Sequence, residues 1–281
     1  MGPFPQVRTY VAVDVREEIL RHVDAALVTA SIVADEVGIL AGGALARREA
    51  ERLGLSLFHF LEDGSPVGKG DEIARFTGSS KQVVMAEEIL VGLLAKPSGI
   101  ATRARRFVEK TNGRPKIVCG AWKKMPSVMK DMIRDAVAAG GAYPRIVNGR
   151  FAYLDKIYVE LLGGIRESLA AVAHLEDHSK VVQVKGRYED IVSEACDAAK
   201  YGADVIFIDS GKADDVRAVA EGLARQGLRG RVMLAFGGGV NLENMEELTG
   251  LDIDILDIGR PIVDAPLLDM RLEIIDTKKE T

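Results

Sequence analysis

The sequence has few of the residues that mark disulfide-rich, nucleic-acid-binding or membrane-spanning proteins. Its 281 residues include two cysteines, Cys119 and Cys196, which form neither a disulfide framework nor a metal-ligand spacing. The 37 basic residues are outnumbered by 42 acidic ones and form no basic block for nucleic acid or an anionic membrane. The chain starts without a signal-peptide pattern, and no apolar run approaches the roughly 18 residues of a membrane span. These absences predict a cytoplasmic protein with a small-molecule ligand.

The residues that are present indicate a globular protein with a parallel sheet. Apolar residues make up 47% of the chain, enough for a sizeable core. From Gly113 onward, short apolar strands alternate with helical segments. The predicted strands are KIVCG, KIYVE, VVQVK, VIFID, RVMLAF and IDILDIG. Such units close most naturally into a TIM-like βα barrel, and an open doubly wound sheet is the alternative.

The first hundred residues predict a smaller α+β unit. A helix is expected near residues 15–28, followed by a strand, a glycine pair and an amphipathic helix. Residues 55–78 are typical of a β-hairpin, with turns at Asp63-Gly64 and Gly70-Asp71. Residues 85–109 are predicted to be helical, with a break at Pro97. This helical piece would lead the chain into the barrel.

The loops after the last two predicted strands are suited to binding phosphate. In a βα barrel, phosphate is commonly held by these loops near a helix N-terminus. One loop carries Gly237, Gly238 and Gly239, where backbone N–H groups can approach an anion. The other carries Gly259 and Arg260, whose guanidinium can offer paired donors to phosphate oxygens. The sequence therefore predicts a phosphorylated small-molecule ligand at this mouth.

Polar residues also follow the other predicted strands. Charged groups at the ends of parallel strands are costly unless they are paired, solvated or functional. The candidates are Lys123, Lys124, Arg150, Glu160, Lys185, Asp209 and Ser210. The chain has neither a Ser/His/Asp order at the strand ends nor a Walker-type lysine loop, which argues against hydrolases and nucleoside triphosphatases.

Several segments resemble one known family in order and spacing. They are AEEILVGLLAKPSGIATRARRFVEK, KIVCGAWKKMPSVMK, VNGRFAYLDKIYV, GADVIFIDSGKADDVRAVAEGL, RVMLAFGGGVNLENM and DIGRPIVDAPLLDMRLEI. Together they resemble the quinolinate phosphoribosyltransferases, also called nicotinate-nucleotide pyrophosphorylases, and one stretch resembles the related nicotinate phosphoribosyltransferases.

The resemblance implies a fold, domain limits and an assembly. The expected fold is an N-terminal α/β sandwich over residues 1–112, with its linking helices, and an open or incomplete parallel βα barrel over 113–266. A C-terminal tail, 267–281, would join the sandwich. The family further implies a homodimer or higher oligomer whose active site takes residues from the neighbouring subunit.

The resemblance also implies a chemistry. In this family a ring nitrogen attacks C1 of phosphoribosyl pyrophosphate (PRPP), while Mg²⁺ and basic side chains stabilise the departing diphosphate. Matched onto this chain, the catalytic residues are Lys123, Arg150 and Asp209, and Asp209 is the candidate Mg²⁺ ligand. The 237–239 loop with Gly259 and Arg260 matches the 5′-phosphate site.

The chain departs from the family pattern in the expected base pocket. Glu88, Trp122 and Glu160 stand where the family has basic residues, and Gln183 with Lys185 replaces its Glu-x-Glu strand end. The expected substrate pocket is formed by Glu88, Trp122, Glu160, Lys185 and Ser210. Carboxylates in place of cations disfavour a dicarboxylate, so the sequence predicts a ring less acidic than quinolinate. Quinolinate itself, an inactive paralogue that binds a phosphorylated metabolite, and a purely structural subunit remain the alternatives.

Overall fold

A computed structural model describes residues 14–23 and 25–279, which form two hydrophobic cores around two main sheets. The helices are α1 (Val15–Leu20), α2 (Gly43–Arg52), α3 (Ser80–Glu109), α4 (Lys130–Ala139), α5 (Lys156–Leu162), α6 (Ile165–Ala171), α7 (Ile191–Lys200), α8 (Ala213–Arg225), α9 (Met245–Thr249) and α10 (Arg260–Val263). The strands are β1 (Ala25–Ala34), β2 (Gly38–Ile39), β3 (Ser56–Phe60), β4 (Pro66–Val67), β5 (Glu72–Gly78), β6 (Lys116–Val118), β7 (Phe151–Leu154), β8 (Ser179–Val184), β9 (Val205–Ile208), β10 (Met233–Gly237), β11 (Ile255–Asp257) and β12 (Met270–Lys279).

The N-terminal half contains a four-stranded sheet in the order β12-β1-β5-β3. All of its strand pairs are antiparallel, and β12 brings the C-terminal segment alongside β1. The expected hairpin is present as the β3 and β5 pair, while β4 between them pairs with β2. The helix expected over 15–28 is shorter, because α1 ends at Leu20 and the later residues belong to β1. Residues 1–13 of the predicted first domain lie outside the described residues.

Helix α3 runs without a break, so the interruption predicted at Pro97 is wrong. Proline removes one backbone donor and leaves the carbonyl of Leu93 without its helical partner. That oxygen lies against Gly42, where an added Cβ would stand only 2.2 Å from it. The next residue, Ser98, uses its hydroxyl to bond both backbone groups of Ala41. Tertiary packing therefore stabilises the proline turn, which helix propensity alone disfavours.

The C-terminal half contains six parallel strands in the order β6-β11-β10-β9-β8-β7. The two outermost strands, β6 and β7, do not pair with each other among the described residues, so the barrel is open. Alternate side chains fill its interior, including Val181, Val205, Ala235 and Ile255. The other face of the sheet packs against the helices. This arrangement confirms the predicted N-terminal sandwich and open βα barrel.

One predicted strand is wrong. The segment KIYVE lies in α5, and the strand at this place is the preceding β7. Asp155 caps α5 by accepting hydrogen bonds from two backbone N–H groups in its first turn, at 2.9 and 3.3 Å. Gly163 ends the helix with a φ of 92°, a left-handed conformation that favours glycine. These two capping residues override the β propensity of Ile157, Tyr158 and Val159.

The longest helix, α3, mixes apolar and charged residues along its length. Within the part of the chain that the structure describes, no helix is apolar over the length needed to cross a bilayer.

Candidate active site

A cavity of about 680 Å³ opens at the carboxyl ends of the six parallel strands. Every strand contributes at least one residue to its wall, either from its last positions or from the loop that follows it. Cavities of this size and position hold small ligands in many βα proteins. The structure brings seven of the predicted residues together here. They are Lys123, Lys124, Asp209, Gly238, Gly239, Gly259 and Arg260.

Two aromatic side chains form the floor of the cavity. Tyr153 from β7 and Phe207 from β9 point into the barrel, and their ring centres lie 6.4 Å apart. Burial, together with the nearby carboxylates of Asp257 and Asp209, raises the pKa of Tyr153 above its ordinary value. The phenol therefore stays neutral and can act only as a hydrogen-bonding group.

The glycine loop forms one wall. Gly238 and Gly239 have φ values of 94° and 69°, which favour glycine. A Cβ added to Gly238 would lie 3.1 Å from the backbone of Gly211 in the neighbouring loop. Gly237 is instead the last residue of β10 and is not part of the cavity lining. A Cβ there would lie 2.7 Å from the ring of Phe207, so its small size serves packing.

Arg260 stands at the rim of the same wall. Its side chain is 89% exposed, and its Nε donates to Asp264 at 2.9 Å. The guanidinium is thus available to an anion at the mouth, although solvent screens it. Arg260 begins α10, a four-residue helix that directly follows Gly259.

Two lysines line the cavity next to Gly259, where an added Cβ would lie 3.2 Å from the Cβ of Ala121. A short 3₁₀ turn over Ala121–Lys124 follows β6 and brings Lys123 and Lys124 to the cavity. The Lys123 ammonium lies 5.5 Å from the centre of the Tyr153 ring. In the described ranges neither lysine takes part in an ion pair. Their charge is available to an anionic ligand.

Asp209 lies beside the glycine loop, where an added Cβ on Gly238 would stand 3.7 Å from its Oδ1, and it belongs to a small network. Its Oδ2 accepts a hydrogen bond from Gln183 and lies 2.8 Å from the Lys185 ammonium. The Gln183 side chain also accepts from the backbone N–H of Lys156 at 2.8 Å. Lys185 lines a small side crevice that shares Lys156 and Gln183 with the main cavity.

Sequence reasoning missed Asp257, the last residue of β11. Its side chain lines the cavity, and its Oδ1 accepts from the backbone N–H of Gly120 at 2.9 Å. Burial raises the pKa of this carboxyl, although the Gly120 N–H and the charge of Lys123 act in the opposite direction. The available signal was its position in IDILDIG, two residues after the inward-facing Ile255 and therefore on the same face of the strand. Tyr153, Asp155 and Lys156 were missed because KIYVE was taken as the strand.

Arg150 and Glu160 do not reach the cavity. Arg150 precedes β7, at the amino end of the sheet, and it pairs with Asp177. Because the cavity lies at the carboxyl ends, Arg150 is not brought together with Lys123 and Asp209, and its catalytic role stays a prediction. Glu160 lies on α5, where its side chain is 65% exposed and pairs with Arg187.

Trp122 does not offer its face to the cavity. Its Nε1 donates to the carbonyl of Pro144 at 2.6 Å, and the guanidinium of Arg134 lies 3.9 Å from the ring centre. A cation from α4 therefore already covers one face of this ring, and Trp122 is not part of the cavity lining.

Two further pocket residues also lie outside the lining. Glu88 lies on α3 and pairs with Arg16. Ser210 is in the loop after β9, and its hydroxyl accepts from the backbone of Lys212 at 3.3 Å.

The acids around the cavity do not form a metal site. Asp209 is bonded to Gln183 and Lys185, Asp155 caps α5, and Asp257 binds a backbone N–H. Magnesium prefers several oxygen ligands in octahedral geometry. No group of three His, Cys, Asp or Glu side chains in the described parts of the chain is placed to hold a metal ion. The residues present do not fit a magnesium ion held by the protein alone.

Comparison with known proteins gives a consistent result. The chain matches the C-terminal domain of quinolinate phosphoribosyl transferase over residues 100–273 and the N-terminal domain over 14–98. It is 28% identical over 253 residues to a probable nicotinate-nucleotide pyrophosphorylase (carboxylating) of Archaeoglobus fulgidus, which covers 88% of this chain and 95% of that one.

Solved structures share the fold. The nicotinate-nucleotide pyrophosphorylase from Francisella tularensis superposes with a TM-score of 0.81 at 18% identity, covering 94% of this chain and 91% of that one. Human nicotinic acid phosphoribosyltransferase gives a TM-score of 0.69 at 14% identity, with 95% and 75% of the two chains covered. Both domain matches together span almost the whole sequence, and the chain therefore belongs to the quinolinate phosphoribosyl transferase family.

Proposed function

We propose that the protein is a phosphoribosyltransferase of the nicotinate-nucleotide pyrophosphorylase type, with PRPP as its co-substrate. One observation carries the proposal. The glycine loop, Arg260 and two lysines without ion-pair partners in the described ranges line a single cavity at the barrel mouth. PRPP has phosphate groups at both ends of a ribose, so a site for it needs two separate anion-binding walls. This cavity has a glycine loop after β10 and a lysine turn after β6, and β11 lies between these two strands.

Each wall has a distinct part in the proposed complex. The backbone N–H groups of Gly238 and Gly239, with Arg260 at the rim, bind the 5′-phosphate. Lys123 and Lys124 bind the diphosphate. The flat acceptor ring lies over Tyr153, in contact with a neutral aromatic surface.

The reaction is then a displacement at C1 of the ribose. A ring nitrogen of the acceptor donates its electron pair to C1, and the bond between C1 and the diphosphate oxygen breaks. The electrons of that bond leave with the diphosphate. Lys123 stabilises the negative charge that develops on the leaving oxygen, which lowers the barrier more than it strengthens ground-state binding.

The acceptor is proposed to be a ring less acidic than quinolinate, such as nicotinate. Asp209 and Asp257, which line the cavity, support this choice of acceptor. Glu160 and Trp122 do not line it. Acidic side chains beside the ring disfavour a dicarboxylate more than a monocarboxylate, because like charges repel each other. Lys156 also lines the cavity, and its ammonium can pair with the single carboxylate of an acceptor such as nicotinate.

Diphosphate release tests this proposal. The protein is incubated with PRPP and, in turn, nicotinate, quinolinate and uncharged bases, and the product nucleotides are identified. We expect turnover with at least one base and little with quinolinate. Lys123→Met should lower kcat by about a hundredfold to a thousandfold, the range for one oxyanion-stabilising donor, while the matched variant Lys200→Met at an exposed lysine keeps activity. PRPP binding without turnover of any base would identify a binding protein instead.

Magnesium is the cofactor that family resemblance implies. Because the acids around the cavity do not fit a protein-held ion, no step of the proposed reaction is assigned to one.

We also propose a homodimer or a higher homo-oligomer. The apolar run ILVGLLA, one reason to expect a dimer, packs largely into the chain's own core, where Leu90 and Leu94 are fully buried. A better candidate surface is α5, which leaves Ile157, Tyr158 and Leu161 more than half exposed beside the cavity. A second copy covering this helix would bury apolar side chains next to both mouths.

A cytoplasmic location is proposed from the state of the cysteines. Both Cys119 and Cys196 are buried free thiols, which suits a reducing compartment. Fractionation of cells that produce the protein tests this point.

A further inference from the structure

The Asp209 carboxylate already has a cation beside it. The ammonium of Lys185 lies 2.8 Å from Oδ2, and the Gln183 amide donates to the same oxygen. Both side chains are only partly exposed, at 26% for Lys185 and 31% for Asp209. The family pattern has a Glu-x-Glu strand end at this place, and this chain has Gln183 and Lys185 instead. Two acids are thus exchanged for one amide and one cation.

The backbone of Lys185 is held in place by a buried acid. Glu194 in α7 is 4% exposed, and its two oxygens accept four backbone N–H groups from residues 185–188, at distances between 2.7 and 3.0 Å. Hydrogen bonds to a charged acceptor are stronger than neutral ones. The loop that carries Lys185 is therefore fixed on the helix behind it, and the lysine is presented to Asp209 from a rigid backbone.

A metal ion on Asp209 would compete with this lysine. A divalent ion and an ammonium would bind the same carboxylate oxygens. Two cations at contact distance also repel each other strongly in a partly buried site. An ammonium has three N–H donors. In the described ranges its one ion-pair partner is Asp209, so donors remain for a ligand. Lys156, in the same side crevice, adds a second positive charge.

We propose that the Lys185 ammonium takes the place of a protein-held divalent cation at Asp209 and binds the anionic and hydroxyl oxygens of the phosphoribosyl ligand directly. The inference rests on the proposed function, since it assigns a PRPP contact to Lys185, in the side crevice that shares Lys156 and Gln183 with that cavity. It predicts that the protein binds PRPP without added divalent metal, and that the charge of Lys185 is the reason.

Calorimetric titration of PRPP into the full-length protein tests the inference without relying on turnover. One titration contains EDTA and the other an excess of Mg²⁺. For the unchanged protein we expect the two dissociation constants to agree within about threefold, because the chain supplies the cation itself. Binding only in Mg²⁺ would overturn the inference and leave the proposed function standing. The absence of binding in both titrations would overturn the proposed function and, with it, the inference.

Two variants identify the group responsible. Lys185→Met keeps the chain length and removes the charge, so in EDTA it should bind PRPP about tenfold to a hundredfold more weakly. Lys200→Met, at an exposed lysine on α7, is the matched control and should bind like the unchanged protein. Equal binding by Lys185→Met and the control in EDTA would overturn the inference, provided that both variants unfold at the same temperature as the parent.

The double variant Gln183→Glu with Lys185→Glu restores the two acids of the family pattern. It should lose PRPP binding in EDTA and regain it in Mg²⁺, because three neighbouring carboxylates then favour a divalent ion. A double variant that binds PRPP equally well in EDTA and Mg²⁺ would contradict the assigned role of Lys185.

Discussion

At the scale of single residues, Asp257 shows how burial inside the barrel changes the pKa of a carboxyl group. It occupies an inward position at the end of β11, where the side chains below it are apolar. Burial raises its pKa, so in the folded protein the carboxyl holds its proton to a higher pH than in the unfolded chain. Between these two pKa values the folded state binds more protons, and stability therefore falls as pH rises.

Asp257→Asn should remove this penalty. The amide keeps an acceptor for the Gly120 N–H and cannot ionise, so the variant should have a higher unfolding free energy than the parent at neutral pH. The gain should vanish in acid, below the ordinary carboxyl pKa, where both proteins are uncharged at this position. Urea titrations at several pH values measure the difference. A variant that is less stable than the parent at neutral pH would show that the ionised carboxylate is favoured in the fold.

Arg260 is a second residue whose environment sets the expected effect. Because its side chain is 89% exposed and bonded to Asp264, its contribution to phosphate binding should be modest. We expect Arg260→Ala to weaken binding of ribose 5-phosphate by roughly 0.5 to 1 kcal/mol, as for exposed ion pairs, with a loss that shrinks at high salt. Arg225→Ala, at another exposed arginine, is the control. A loss of several kcal/mol would mean that the guanidinium becomes buried when the ligand binds.

At the scale of elements, the loop between β8 and α7 depends on Glu194. In Glu194→Gln the side-chain amide cannot accept all four N–H groups, so we expect unfolding free energy to drop by about 1 to 3 kcal/mol. Amide exchange at residues 185–188 should speed up, because these N–H groups lose their partner. Glu189→Gln, at an exposed acid nearby, should change neither property. Unchanged exchange in the Glu194 variant would show that the loop is held by other contacts.

Some strands and loops could be predicted from the sequence, and one helix could not. Apolar strands such as VVQVK and VIFID were recognisable because residues 181–184 and 205–208 are buried in succession, and the phosphate loops followed from the glycines after β10 and β11. The segment KIYVELL was misassigned because β-branched and aromatic residues favour strands, whereas Asp155 and Gly163 cap it as a helix. That single error removed Tyr153 and Lys156 from the expected site and placed Glu160 in it.

Some features depend on contacts that no local pattern reveals. The continuity of α3 through Pro97 depends on Gly42, which is distant in sequence. The cation covering Trp122 comes from α4, and the partner of Arg150 is Asp177 at the closed end of the barrel. The domain limits at residues 112 and 266 stay a prediction.

At the scale of the whole molecule, the proposed assembly uses the exposed apolar residues of α5 as the contact between two copies. If α5 is covered by a second copy, Leu161→Asp should raise the dissociation constant of the oligomer at least tenfold, since burying one leucine contributes roughly 1.5 to 3 kcal/mol. Light scattering over a range of concentrations measures this. Val37→Asp, at an exposed apolar residue of the N-terminal half, is the control. A parent protein that is monomeric at micromolar concentration would contradict the proposed assembly.

The central claim is that PRPP binds in the cavity at the carboxyl ends of the strands. A crystal structure of the protein with PRPP shows directly where the ligand binds. We expect the 5′-phosphate within hydrogen-bond distance of the backbone N–H groups of Gly238 and Gly239, the diphosphate against Lys123, and C1 above the ring of Tyr153. A 5′-phosphate bound anywhere else, or PRPP bound at the amino ends of the strands near Arg150, would contradict the account.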